Sequence, residues 1–292
     1  MESGYQLSKI NMHDSPIKIR DLILTLFFSL IILVCLFFLN YLDRTTKIVF
    51  CDVGQGDGAY IRIKNKIDIV IDAGPDRKIL SCLGRYMPFW DRKIELAILS
   101  HPNSDHYGGF YFILDRYQLD NFMTVKDVIT SKTYQRLVDK ITDKKIPFQF
   151  RTSGDKIKIE NDEFIFFWPP VDFKSYQDND YSLIFLFQED DFRALFTGDA
   201  SPMVLDQIPR LASLARNDIV GVNILKVPHH GSKNGLTKNF LQVISPRLAV
   251  ISVGKNNPYG HPAKKILDML KAKNVKVKRT DKDGDIVFKI KD

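Results

Sequence analysis

The chain has 292 residues, 45% hydrophobic and 12% aromatic, which supplies a substantial core and excludes a disordered protein. Lys and Arg total 42 against 35 Asp and Glu, a net charge of +7 that suits a polyanionic partner and equally a solvated basic surface. Three cysteines are too few for a disulfide scaffold.

The first predicted element is LILTLFFSLIILVCLFFL, residues 22–39, a run without charge. At about 1.5 Å per residue it spans about 27 Å, close to a bilayer core. No A-x-A-like cleavage site follows in Asn40, Tyr41, Leu42 and Asp43, so residues 21–41 are expected to be an uncleaved transmembrane anchor with Tyr41 at the interface. A buried helix of a soluble protein would carry a polar face. Lys9, Lys18 and Arg20 precede the run and only Arg44 and Lys47 follow closely. That bias puts residues 1–20 in the cytoplasm and the rest outside, as a single-pass protein of the cell membrane. Cys35 falls in the anchor; Cys51 and Cys82 are expected to be two small buried thiols, with pairing outside the membrane as the alternative.

Residues 45–292 show no repeat or long linker and read as one domain. KIVFCDV (47–53), GAYIRIK (58–64) and IDIVIDA (67–73) predict a meander of strands separated by glycine and charged turns. A helix over Lys78 to Met87, the strand IELAILS (94–100), a helix from Gly109 to Tyr117 and another over 132–142 follow. FQFRT, KIKIE, EFIFFW, SLIFLFQ and FRALFTG predict a second series of strands. The chain then closes with strand, helix and strand around VNILKV, LAVISV, AKKILDMLKAK and VKVKRT. Two halves, each of strands followed by helices, predict an α+β sandwich (α/β by some schemes) of two sheets face to face with helices outside.

Four groups of ligand-type residues fall just past apolar strands, where a rigid scaffold presents side chains to one edge. His101, Asn103, Asp105 and His106 lie in SHPNSDHYGG, Asp199 in LFTGD, and His229 and His230 in LKVPHHGS. Imidazole with carboxylate suits zinc, manganese or iron, and a carboxylate can bridge two ions. Asp72 in IVIDAG is expected to orient a ligating imidazole through its other ring nitrogen. Singly, each residue has an ordinary structural reading, but four of the chain's six histidines sit in two of these clusters.

H-x-N-x-D-H, TGD and HHGS, in that order after DVGQGD, resemble the metallo-β-lactamase fold, and specifically the C-terminal domain of the ComEC family of DNA-internalisation competence proteins. The resemblance runs from about Phe50 to Ile286. It covers FCDVGQGD (50–57), VIDAG (70–74), AILSHPNSDHYGG (97–109), LFTGD (195–199), ILKVPHHGS (224–232), ISVGKNNPYGHP (251–262) and RTDKDGDI (279–286). It implies an αββα sandwich with a metal site at one edge, and a nuclease acting outside the cytoplasmic membrane by metal-assisted hydrolysis of a phosphodiester. Carried over by position, it implies His101, Asp105 and His106 as ligands, Asp199 as a bridging ligand and His229 or His230 as the last. Lys226 would stabilise phosphate charge in the transition state, with a solvent-facing edge-strand lysine as the alternative. His261 would protonate the leaving group or touch substrate, or simply form a turn. Asp105 is expected to serve catalysis as well as the metal. Asp57 would form the DVGQGD turn or reach the metal edge.

Two positions depart from the resemblance. Asn103 stands where these families carry His or Asp, and Tyr181 precedes Ser182 where Asn is common. Tyr181 and Ser182 are expected beside the ligands. One firm ion is therefore expected on Asp105, His106, Asp199 and an HHGS histidine, and a weaker second on His101, Asp199 and Asn103. Manganese or zinc suits this set, with magnesium a third option. ComEC proteins also carry a multi-helix channel, so a separate channel protein is an expected partner. The remaining readings are a phosphodiesterase for a smaller or cell-surface substrate and a degenerate domain that binds nucleic acid or docks without catalysis. β-Lactamase activity fits least. The sequence leaves oligomeric state open.

Overall fold

The structure, a computed structural model, describes residues 19–126, 131–210 and 221–291. Lys9, Lys18 and nearly all of the expected cytoplasmic segment lie outside the described residues, as does the Tyr41 side chain. The chain divides into two units, Met1–Asp43 and Arg44–Asp292.

In the first unit α1 runs over Ile19–Leu42, 24 residues and about 36 Å. Its stretch Ile19–Leu39 is long and apolar enough to cross a membrane, and none of its most apolar window is buried. Its length and composition are compatible with a membrane span.

The second unit contains the sandwich. One sheet has the order β16-β1-β2-β3-β5-β7-β8, where β1 is Thr46–Phe50, β2 Gly58–Ile63, β3 Ile67–Ala73, β5 Leu96–Ile98, β7 Phe122–Thr124, β8 Phe148–Phe150 and β16 Ile286–Ile290. The other has the order β15-β14-β13-β12-β11-β10-β9, from Lys156–Ile159 (β9), Asp162–Trp168 (β10), Ile184–Glu189 (β11), Phe192–Phe196 (β12), Ile224–Lys226 (β13), Leu248–Ile251 (β14) and Lys276–Arg279 (β15). Two short strands, β4 (Lys93–Ile94) and β6 (Gln118–Leu119), pair apart from both sheets.

The apolar runs of the inner strands are nearly continuous because those strands are covered on both faces. Successive side chains alternate between faces. Ile48, Phe50, Ile69, Ile71, Phe164, Phe166, Phe185 and Phe187 pack between the sheets. Val49 and Val70 face the helices of the first sheet, and Ile165, Phe167, Ile184 and Leu186 those of the second. Helices α2 (Lys78–Tyr86), α4 (Phe110–Arg116) and α5 (Lys132–Asp143) cover the first sheet. Helices α7 (Lys238–Ile244) and α8 (Lys264–Ala272) cover the second. Of the short helices, α3 (Ser104–Tyr107) adds Tyr107 to the first group and α6 (Pro202–Leu205) adds Val204 and Leu205 to the second; α9 (Thr280–Asp283) precedes β16.

The same alternation fixes Lys226. Ile224 points between the sheets, so Lys226, two residues on, points there too, from an interior strand. The solvent-facing edge-strand alternative is overturned: Lys226 is 4% exposed.

The expected pair of thiols is also corrected. Cys51, just past β1, and Cys82, in α2, form a disulfide with a Cα separation of 5.8 Å across 31 residues. Two motifs that set the resemblance apart serve as clasps at the same edge. Gln55 Oε1 accepts from the Gly254 backbone N–H at 3.1 Å, and Asp285 Oδ1 from the Asp52 N–H at 2.8 Å.

Candidate metal centre

The site stands where β3, β5, β12 and β13 end at one edge of the sandwich, and loops after those strands carry its side chains. Two glycines let the loops approach. At Gly56 (φ +143°) a Cβ would lie 2.2 Å from the Asp105 carbonyl oxygen, and at Gly109 2.0 Å from that of Ala73. The DVGQGD turn thus rests on the backbone of Asp105, whose carbonyl accepts from the Asp57 N–H at 3.2 Å. Asp72, His229 and His230 hold left-handed backbone angles, φ 51°, 51° and 52°. Such strain persists where surrounding structure fixes it, as at functional sites.

Asp105, His106, Asp199 and His230 converge, each offering a ligand atom within 4.8 Å of the others. His106 Nε2 lies 3.4 Å from Asp199 Oδ1, and His230 Nε2 lies 3.4 Å from Asp199 Oδ2 and 3.2 Å from Asp105 Oδ2. Among the described residues, His106 Nε2 and Asp199 Oδ1 are buried without an aligned hydrogen-bond partner, and so is His101 Nε2. Buried polar atoms are rarely left so. Unpaired nitrogen and carboxylate oxygen facing one point fit a divalent cation.

The surroundings aim these atoms. Asp72 Oδ2 is 2.9 Å from His106 Nδ1, and Asp72 also accepts from the Ser100 N–H and hydroxyl at 2.7 and 2.8 Å. A carboxylate only accepts, so Nδ1 carries the proton and Nε2 faces the cluster. The Ser252 carbonyl does the same for His230 Nδ1 at 3.1 Å. Ser182 Oγ accepts from the Asp199 N–H at 3.0 Å. Asp57, Asp72 and His106 form a second close trio, but Asp57 Oδ2, Asp72 Oδ2 and His106 Nδ1 already pair with Lys226, Ser100 and each other.

Electrostatics follow from this crowding. Burial opposes charge on both histidines, yet Asp199 and Asp72 raise His106 well above the ordinary range, and Asp199 and Asp57 raise His230 to about 10. Asp199 is held well below the carboxylate range; burial opposes this, and His230 and His106 outweigh it. Burial likewise opposes ionisation of Asp57, but Lys226 and His230 hold its pKa down. His101 is pushed down to about 3, first by burial and then by the charge on His106.

His101 lies beside His106, ring centres 4.2 Å apart and planes tilted by 58°, outside the group of four. The Asn103 amide donates to Asn179 Oδ1 at 2.9 Å. Of the two HHGS histidines the structure brings only His230 into the cluster; His229 Nδ1 is 3.5 Å from Asn179 Nδ2 and its ring 6.0 Å from that of His261. His261 stacks on Tyr259 and its pKa is lowered, by burial first and then by His229 and His230. Lys226 Nζ pairs with Asp57 and lies 4.0 Å from Asp199 Oδ1, so its charge is engaged beneath the cluster and does not stand free for a phosphate. Asp57 is accordingly part of the charged network, more than a turn former.

Tyr181 does not stand beside the ligands. It packs among the core aromatics, and its hydroxyl accepts from the Ser175 N–H at 2.9 Å. A 3-10 turn over Asp178–Tyr181 instead brings Asn179 to the site. Sequence reasoning missed Asn179, Ser100 and Ser252. Ser100 had a signal, a hydroxyl directly before His101 at a strand end; Asn179 had none without the turn.

The sequence profile described as Metallo-beta-lactamase superfamily matches residues 52–255. ComE operon protein 3 of Bacillus subtilis is 25% identical over 273 residues, 88% of this chain and 34% of that protein. Competence protein ComA of Neisseria gonorrhoeae is 25% identical over 257 residues, 84% and 32%. Both are ComEC-family proteins, the family the sequence resembles. The chain spans about a third of the length of these curated relatives. The metallo-β-lactamase fold protein YhfI from Bacillus subtilis superimposes with a TM-score of 0.57 at 10% identity, covering 84% of this chain and all of that one.

Proposed function

Because this chain belongs to the metallo-β-lactamase superfamily, we propose that it is a metal-dependent phosphodiesterase, anchored through residues 21–41, that hydrolyses DNA outside the cytoplasmic membrane. One observation carries the chemistry: Asp105, His106, Asp199 and His230 converge at a strand-end edge, with His106 Nε2 and Asp199 Oδ1 buried and unpaired. The fold brings divalent-metal chemistry, and manganese or zinc, or magnesium, suits this mixture of oxygen and imidazole. When bound, the ion supplies Lewis-acid activation of water and of a phosphoryl oxygen. The chain's residues do the rest. Asp72 and the Ser252 carbonyl hold protons on the outer histidine nitrogens, Ser182 fixes Asp199, and the Lys226–Asp57 pair braces Asp199 and His230 from below. His261 and the exposed Tyr259 offer a rim where substrate would lie.

The DNA assignment rests on the competence proteins among the relatives and on the basic balance of the chain. The outward orientation is supported by the Cys51–Cys82 disulfide, since such bonds persist in oxidising compartments. A separate channel protein is the partner we propose for uptake. The experiment is hydrolysis by the full-length, detergent-solubilised protein with Mn²⁺ or Zn²⁺. Cleavage of single-stranded DNA is expected; cleavage of a small bis-aryl phosphodiester or of RNA but not DNA would move the substrate elsewhere.

Asp72→Asn removes the carboxylate behind His106 and is expected to weaken metal affinity about 10–100-fold. Equilibrium dialysis against Mn²⁺ measures this; unchanged affinity would leave Asp72 a merely structural residue. Protons and the cation compete for the same imidazole nitrogens. Because His230 is raised to about 10, it carries a proton below that pH and the cation must expel it. Affinity is therefore expected to climb with pH through neutrality and level off above about 10. Titration calorimetry in buffers of different ionisation heat reads the released protons; affinity flat between about pH 6 and 8 contradicts this account.

A second reading, a weakened or non-catalytic domain, is favoured by Asn103, whose amide is a poor ligand for a dication and is tied to Asn179. Asn103→Asp is expected to raise bound metal toward a second ion per chain and to raise activity with it. No activity in either form, with any metal, would establish the docking reading instead.

A further inference from the structure

We infer that the loop carrying Phe89 and Trp90 is a lipid-contacting device, which seats its aromatic pair at the bilayer interface. This rests on reading α1 as a membrane span. Phe89 is 80% and Trp90 65% exposed, and their rings meet edge to face with centres 4.8 Å apart. One exposed aromatic is ordinary, but an adjacent pair displayed outward on an anchored loop is a different feature.

The anchoring is built from buried charge that the catalytic cluster does not use. Asp91 Oδ2 accepts from Arg62 Nη1 at 3.1 Å, the Asp91 N–H donates to the Pro88 carbonyl at 2.9 Å, and Asp91 Oδ1 accepts from the Lys93 N–H at 3.2 Å. Arg62 in turn pairs with Asp68, which also accepts from the Tyr60 hydroxyl. Moving the loop would leave a buried charge uncompensated, so the network holds it in one conformation. Here the conformation it specifies is one that turns two large apolar rings into solvent.

Register locates the loop. Arg62 lies opposite Lys47 of β1 and Asp68 of β3, at the end of the sheet remote from Asp57 and Asp72. At that end the Asn65 N–H donates to the Thr45 carbonyl at 3.1 Å. The Glu95 N–H, at the entry to β5, donates to the Asp68 carbonyl at 2.9 Å. The loop therefore shares an edge with the first residue of β1, about three strand spacings or 14 Å away. In sequence, residues 43–45 alone separate that strand from the apolar helix.

The chemistry suits a bilayer interface. Tryptophan concentrates at the headgroup level, where its ring is apolar and its N–H stays hydrated. Lys64, Lys66 and Arg92 on the same edge suit anionic headgroups. The turn Asp190–Asp191 of the second sheet opposes them, so insertion of the rings carries the contact.

The chain has two tryptophans, and Trp168 is 1% exposed, so lipid-dependent emission reports Trp90. The full-length protein is reconstituted in vesicles of equal parts phosphatidylcholine and phosphatidylglycerol, with brominated or plain acyl chains. Brominated lipid is expected to remove most of the Trp90 emission and plain lipid to shift it to the blue; Trp90→Phe should abolish both effects. If the protein floats with the vesicles while Trp90 ignores bromine and stays open to acrylamide, the loop proposal is overturned and the span survives. Protection that scales with protein concentration also overturns it, by assigning the pair to a second copy. Failure to float removes the span reading, and the inference falls with it.

Discussion

Asp199→Ala is expected to abolish hydrolysis, lowering kcat/KM by about a thousandfold or more, and to strip the protein of its tightly held cation. Asp199 is where the cluster meets: one oxygen faces His106 Nε2 and the other His230 Nε2, each at 3.4 Å, with Lys226 at 4.0 Å. Without it, two imidazoles raised by its charge lose their common partner, and Asp105 alone supplies carboxylate to the group of four. Asp199→Asn separates charge from shape, since it keeps the backbone bond to Ser182. Both variants should lose activity and metal together, with the Asn form closer to the parent in melting temperature. Activity within about tenfold of the parent in the Asn form would show that the carboxylate is dispensable.

Replacing Cys51 and Cys82 together with Ser is expected to lower the melting temperature by about 10 °C. The bond closes a loop across 31 residues, for which chain entropy predicts about 3–4 kcal/mol. For a domain of this size each kcal/mol moves the melting point by about 2–4 °C. The bond also ties the DVGQGD turn to α2, so metal affinity should fall alongside stability. Scanning calorimetry with and without reductant makes the measurement. Coincident transitions would mean that the bond contributes nothing, and would remove the support it lends to an outward-facing domain.

Much of the fold was legible because it is written in short-range pattern. IDIVIDA and EFIFFW alternate between two apolar faces, and the catalytic-type residues follow such runs directly, so strands and site edge could be read together. The group of four was legible to within the choice between His229 and His230. That choice was not local: both have similar left-handed backbone angles, and only packing against Ser252 and Asp57 turns His230 inward. Lys226 misled because its partner, Asp57, is 169 residues away in sequence. The disulfide escaped for the same reason, since α2 must dock on the sheet before Cys82 meets Cys51. Tyr181 was misplaced because a short 3-10 turn gives Asn179 the site and sends the tyrosine to the core. Strand β16 was overlooked; its alternating, half-exposed residues gain meaning only from pairing with β1 across nearly the whole domain.

The most direct measurement is anomalous diffraction from crystals of the protein grown with Mn²⁺. The account predicts a peak within about 2.3 Å of His106 Nε2, His230 Nε2 and carboxylate oxygens of Asp105 and Asp199. A peak confined to Asp57, Asp72 and His106 Nδ1, or none at saturating Mn²⁺, would contradict it.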